Sequence, residues 1–140
     1  MDFTVLAAVG FTLFTAHRVG DYWIQTDDQA QEKSQPDSAG RLADLRHVAT
    51  LTATKLVMLG VLFAAGLPVT VFGLVIGLGI DAASHYWADR RHTLKRLAEL
   101  IPGKARFYRL ADHGINGAHE LDQSFHILFL WIASVIIATV

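Results

Sequence analysis

The sequence predicts an all-α fold, an integral membrane bundle of four transmembrane helices with an amphipathic helix on its cytoplasmic side. Three observations carry this. Hydrophobic residues make up 52% of the 140, only 18% are charged and mean hydropathy is +0.34, an apolar share above that of soluble domains. These residues are gathered into four runs of about membrane-crossing length. All 12 Lys and Arg lie in two long polar stretches, in the helix ends beside them, or in the loop-proximal half of the second run. The length suits one domain, residues 1–140. Without cysteine, disulfides and thiolate metal sites are excluded. The bilayer is the expected partner, and nucleic acid is not.

Taken in order, residues 3–24 form the first crossing, roughly 33 Å as a helix. Asp2 stands where a signal peptide would carry basic residues, and no small-x-small cleavage pattern follows, so this segment reads as a retained helix. Its last turns carry His17 and Asp21 on one face, then Tyr22 and Trp23 at the place of an interfacial aromatic belt. Residues 25–46, QTDDQAQEKSQPDSAGRLADLR, read as an aqueous loop broken by Pro36 and Gly40, with a short helical piece around Gln29 to Ser34. Asp27, Asp28, Asp37 and Asp44 there read as solvated or capping groups.

The second crossing, 47–66, opens on His47 and holds Lys55, the one basic residue well inside an apolar run. Thr50, Thr52 and Thr54 can bond back to the helix backbone and so tolerate an apolar setting. Gly66-Leu67-Pro68 makes a reversal, with Pro68 suited to the first turn of the third crossing, 68–89. Gly73 and Gly77 there have small-xxx-small spacing, which suits close packing inside the bundle or, as the sharper alternative, a homo-oligomer face. Residues 90–123 form the second polar loop. Within it Leu94, Leu97, Leu100 and Ile101 share a side, with Arg91, Lys95 and Arg96 largely elsewhere, the pattern of a helix lying on an anionic membrane surface. Pro102-Gly103 ends that helix. Gly114 and Gly117 predict irregular chain up to the fourth crossing, 124–140.

The basic residues also set orientation. The N-terminus, the Gly66–Pro68 turn and the C-terminal run carry none, so the positive-inside rule puts both long loops in the cytoplasm and both termini outside, in a bacterial inner membrane.

The candidate chemistry centres on residues 81–92, DAASHYWADRRH, expected to continue the third helix. Asp81, His85, Asp89 and His92 then fall within an arc of roughly 80° on one face. Ionisable groups at membrane depth usually face a bundle interior and mark function. Ends of odd helices and starts of even ones lie on the same side, so His17, Asp21, His47, Asp81, His85, Asp89, Asp122 and His126 are predicted in one layer at the cytoplasmic mouth. Bundles build metal sites this way. Imidazole and carboxylate without sulfur suit one or two divalent ions, with zinc, iron, manganese and nickel all open. Asp21 and Asp89 are placed to bridge metals or take a proton, and Lys55 to hold an anionic substrate group. His92, His113 and His119 read as interfacial or solvated.

The segments HRVGDYWIQTDDQAQEKS, RHVATLTATK, DAASHYWADRR and ELDQSFHILFLWI resemble, in that order and over most of the chain, an uncharacterised family of small multi-pass bacterial and phage membrane proteins, domain of unknown function 3307. The resemblance implies the architecture and supports the choice of His and Asp positions; it implies no activity. More loosely, the chain is similar to small membrane-bound metal-dependent hydrolases with His and Asp at helix ends. The function expected is a metal-dependent hydrolase of a lipid-linked or phosphate-bearing substrate. Two alternatives stand beside it: a di-iron or copper membrane oxidoreductase, disfavoured by the shortage of HxxH spacings, and a non-enzymatic metal- or proton-binding or regulatory subunit.

Overall fold

The computed structural model describes residues 2–140. Helix α1, Phe3–Val19, starts where the Asp2 carboxylate accepts the N–H groups of Thr4 and Val5 at 2.7 and 3.4 Å, satisfying donors that the first turn leaves unpaired. These bonds hold the Asp2 carboxyl below its usual pKa. A single π turn, Gly20–Ile24, carries the helix on. Helix α2, Asp27–Glu32, is opened by a reciprocal Thr26–Gln29 capping box.

Helix α3 spans Ser38–Ala64 and so begins well before the expected His47. Asp37 caps it through the Gly40 N–H at 2.8 Å, and Gly40 lies in the helix's first turn, packed on Glu32 and Gln35, not a breaker. Helix α4, Val71–Asp89, is capped by Thr70, so Pro68 lies ahead of it and outside its first turn. It ends at Asp89, as the expected crossing does, but the helix does not continue to His92: Arg90 is its C-cap, and His92 opens α5, His92–Leu100, exposed and off the α4 face.

After the short α6, Lys104–Tyr108, the expected irregular stretch is ordered. Strands β1, Ala111–Asp112, and β2, Ile115–Asn116, pair antiparallel through His113 and Gly114, both at positive φ, as a type I′ hairpin turn requires. Asn116 then caps α7, Gly117–Thr139, through the His119 N–H at 3.2 Å. The last crossing thus begins at Gly117 rather than Ser124, which places Asp122 on a helix.

The four long helices α1, α3, α4 and α7, the first counted with its π turn, are each long and apolar enough to cross a membrane. They close a ring in which α1 packs on α3 and α7, and α4 on α3 and α7. One half of its interior is apolar, built on Val9, Leu13, Leu59, Leu78, Leu130 and Ile137. Large apolar side chains also cover the outside, with Phe11 and Val71 each 74% exposed and Val57 70%. That is the inverse of a soluble surface and the expected coat of a lipid-facing one.

Gly73 and Gly77 do not form a free face. A Cβ on Gly77 would sit 2.6 Å from Ile137 Cγ1 and 3.0 Å from the Ala133 carbonyl oxygen of α7, and one on Gly73 would meet the Ile137 carbonyl oxygen at 3.4 Å. The small residues let α4 and α7 approach within the chain, the first of the two uses their spacing allowed.

Candidate metal centre

The other half of the ring interior is polar. Each helix brings its ionisable residues to it for a local reason. On α1, His17 ends the regular helix and Asp21 falls in the π turn, where Leu51 of α3 occupies the space a Cβ on Gly20 would need. That close approach lets Asp21 reach both His17, 3.6 Å away, and His47 of α3, 3.3 Å away. Single π turns recur at functional sites because they re-aim side chains in this way. On α4 and α7 the i, i+4 pairs His85/Asp89 and Asp122/His126 close at 3.2 and 3.5 Å.

The four imidazoles meet at the centre. His47 and His85 approach Nε2 to Nε2 at 3.1 Å, and the rings of His85 and His126 stack at 4.0 Å. His17 lies edge-on to His85 at 5.4 Å. Asp89 Oδ2 is 3.4 Å from His47, and Asp89 Oδ1 is 3.7 Å from His126. Two sets of three donors, Asp21/His47/His85 and His85/Asp89/His126, each lie within 4.8 Å of one another and share His85. His17 Nε2 and Asp21 Oδ1 are buried with no hydrogen-bond partner, whereas Asp89 Oδ2 has the Lys33 ammonium at 2.9 Å. Lone pairs left so in an apolar bundle are costly unless something electrophilic takes them.

Charge sharpens this. Elsewhere in the bundle the buried charges come in matched pairs. Lys55 meets Asp81 at 2.5 Å, and Arg90 lies 3.9 Å from Asp44. In the centre Asp21, Asp89 and Asp122 face one ammonium, that of Lys33, which is 2.9 Å from Asp89. With neutral imidazoles this leaves a formal charge of −2, counted as three carboxylates less one ammonium. Either two imidazolium ions or one divalent cation would balance it. Facing Nε2 atoms and stacked rings make two imidazolium ions repel at short range, and one divalent cation also takes up the unpartnered lone pairs. The donor set therefore fits a divalent cation.

Six of the expected residues, His17, Asp21, His47, His85, Asp89 and His126, are thus brought together, with Asp122 at their edge. Asp81 and Lys55 are not. They lie one turn along α4 from His85 and two turns along α3 from His47, both buried, and their charges are spent on each other. Asp81 is no ligand of this centre, and Lys55 is not free to hold a substrate anion. His113 is exposed on the hairpin, and His119 is exposed at the start of α7.

Lys33 of the centre and the Arg90–Asp44 pair beside it were not legible in the sequence as such. Lys33, at the end of α2, looks like an ordinary loop lysine. Arg90, expected at an open mouth, is buried and donates to the carbonyl oxygens of Lys33 and Gln35. Asp44, expected in solvent, is fully buried beside it. Arg90 thereby pins the α2 strap over the centre, with Lys33 held against Asp89. One cavity of about 430 Å³ opens from the centre, lined among others by Asp21, Lys33, Asp89, Arg91, Tyr108 and Asp122, within the size range of small-ligand sites.

The family model described as protein of unknown function (DUF3307) matches residues 9–140. The chain belongs to this family. Comparison with curated proteins and with solved structures returned no match. In this DUF3307 chain the matched span takes in α1 from Val9 onward, the whole of α3, α4 and α7, and every residue of the centre.

Proposed function

We propose that this DUF3307 protein is a membrane-embedded, divalent-metal-dependent hydrolase acting on a lipid-linked or phosphate-bearing substrate. The observation that carries the reading is the gathering of four imidazoles and three carboxylates, the carboxylates lining a cavity that also presents Lys33 and Arg91. A bound divalent ion supplies Lewis acidity toward a phosphoryl or carbonyl oxygen and makes a nucleophile of water at neutral pH. His17, His47, His85 and His126 would hold it. Asp21 and Asp89, each within reach of two or more imidazoles, would anchor it and could accept a proton from water. Lys33 and Arg91 face an anionic group in the cavity.

Purification in mild detergent without added metal, followed by elemental analysis, should find about one or two equivalents of a divalent transition metal, zinc, iron or manganese, per chain. Chelation should abolish release of inorganic phosphate from a phosphate monoester, and restored metal should recover it. A metal-free protein, or phosphate release indifferent to chelation, overturns the reading.

We further infer that the polar end of the bundle faces the cytoplasm of a bacterial cell, because the basic residues cluster there. Cysteine placed at exposed Ser38 should be shielded from an impermeant thiol reagent in intact cells, and cysteine at exposed Thr139 should label. The opposite pattern reverses the orientation.

A further inference from the structure

A second concavity lies on the outside of the bundle, in the seam between α1 and α7. Its volume is about 340 Å³, and Gly10, Phe11 and Phe14 of α1 face Ile127, Leu130 and Trp131 of α7 across it. Ser134 is the one polar side chain in its lining, and its hydroxyl is spent on the Leu130 carbonyl oxygen at 2.7 Å. The floor is low because Gly10 has no side chain: a Cβ there would rest 3.6 Å from Ser134 Oγ, an ordinary contact. Both helices are long and apolar enough to cross a membrane here, so the seam opens toward lipid acyl chains.

What distinguishes this groove from an ordinary lipid-facing surface is its polar end. One turn beyond Phe14 and Ile127, Arg18 reaches across the seam to Gln123 Oε1 at 3.1 Å, with its guanidinium 4.3 Å over the Tyr22 ring. Tyr22 and Gln123 also line the cavity over the metal centre. A hydrocarbon groove, an arginine at its polar end and a cavity carrying Lys33 and Arg91 follow one another along a single seam. That order is the order of parts in an anionic lipid.

We propose that the α1–α7 seam seats one hydrocarbon chain of an anionic membrane lipid, with Arg18 at the level of its headgroup and the headgroup turned into the cavity above the centre. This deepens the hydrolase reading by naming a phosphate-bearing lipid as the substrate class. It rests on that reading only for the fate of the headgroup, because the chain is held without metal.

The test uses the full chain in phosphatidylcholine nanodiscs with two photoactivatable probes carrying a diazirine in the acyl chain, a phosphatidic acid and the matching diacylglycerol. Adducts of the anionic probe should fall on Leu6–Phe14 and Ile127–Ser134 in about tenfold excess over the lipid-facing stretch Leu56–Val61 of α3, with diacylglycerol spread evenly. Gly10→Leu, which fills the groove, should erase the excess, whereas Gly10→Ala should keep it. Arg18→Gln should bring the two probes level. Even labelling of all helices by the anionic probe, or an excess that survives Gly10→Leu in a folded protein, overturns the seat. Metal content measured on the same samples separates the two readings. Seam labelling on a metal-free protein sinks the hydrolase and keeps the lipid site; bound metal with even labelling does the reverse.

Discussion

Replacing His85 with alanine should strip the protein of the proposed metal and lower its thermal stability, while His113→Ala should change neither. His85 is the donor common to both three-residue sets, so its loss leaves neither complete, and Asp21 and Asp89 keep their charges with one partner fewer. A metal present at a hundredfold over its Kd stabilises the folded state by about 2.7 kcal/mol, and the variant forfeits that. His113 is 90% exposed, with Asp112 at 3.4 Å as its ionic neighbour, and an exposed pair of that kind is worth about 1 kcal/mol or less. The measurement is metal content and melting temperature for both variants and the parent, each with and without chelator. If the metal is the cause, chelation narrows the gap between parent and His85→Ala. A gap of the same size after chelation would make His85 a packing residue and remove the basis of the metal centre.

The second large effect lies deeper in the bundle. Lys55→Met should destabilise the protein by about 3–5 kcal/mol, because it leaves the Asp81 carboxylate buried without its ammonium. Lys55 is fully buried and Asp81 is 3% exposed, so water cannot take over. The double variant Lys55→Met with Asp81→Leu removes both charges and should regain most of the loss, as neighbouring groups of one pair are strongly non-additive. It should also keep its metal, since neither residue belongs to the donor sets. Denaturation midpoints of the single and double variants, read beside their metal content, check both points. A double variant that folds but loses metal would return Asp81 to the centre.

The sequence by itself determined the layering of this protein. Four apolar runs, with basic residues gathered in two polar stretches and the helix portions beside them, leave few topologies for a short chain, and the all-α membrane bundle follows. The spacing also determined which ionisable residues could share a face. His17/Asp21, His85/Asp89 and Asp122/His126 are i, i+4 pairs, and helix spacing brings each pair to one face, the first with the help of the π turn. Helix termini were less legible. Asp37 and Asn116 are capping residues, but they sit in polar stretches that resemble loops, so α3 and α7 start earlier than hydropathy indicates.

Only the tertiary structure decided depth, partners and closure. Asp81 and Asp89 are on the same helix face, yet Lys55 neutralises one while the imidazoles surround the other, because the register of α3 against α4 sets which side chains meet. No linear pattern carries that register. The same holds for Gly73 and Gly77, whose spacing suits a second copy as well as a neighbouring helix, and which the fold packs against α7. Lys33 and Arg90 are the clearest case. A lysine and an arginine beside polar loops read as solvated charges; the fold brings the α2 strap back over the bundle mouth, where Arg90 binds its carbonyl oxygens and Lys33 meets Asp89. Local periodicity records which way a side chain faces on its own helix. What it meets there depends on how separate helices pack, and that is settled by the whole interior at once.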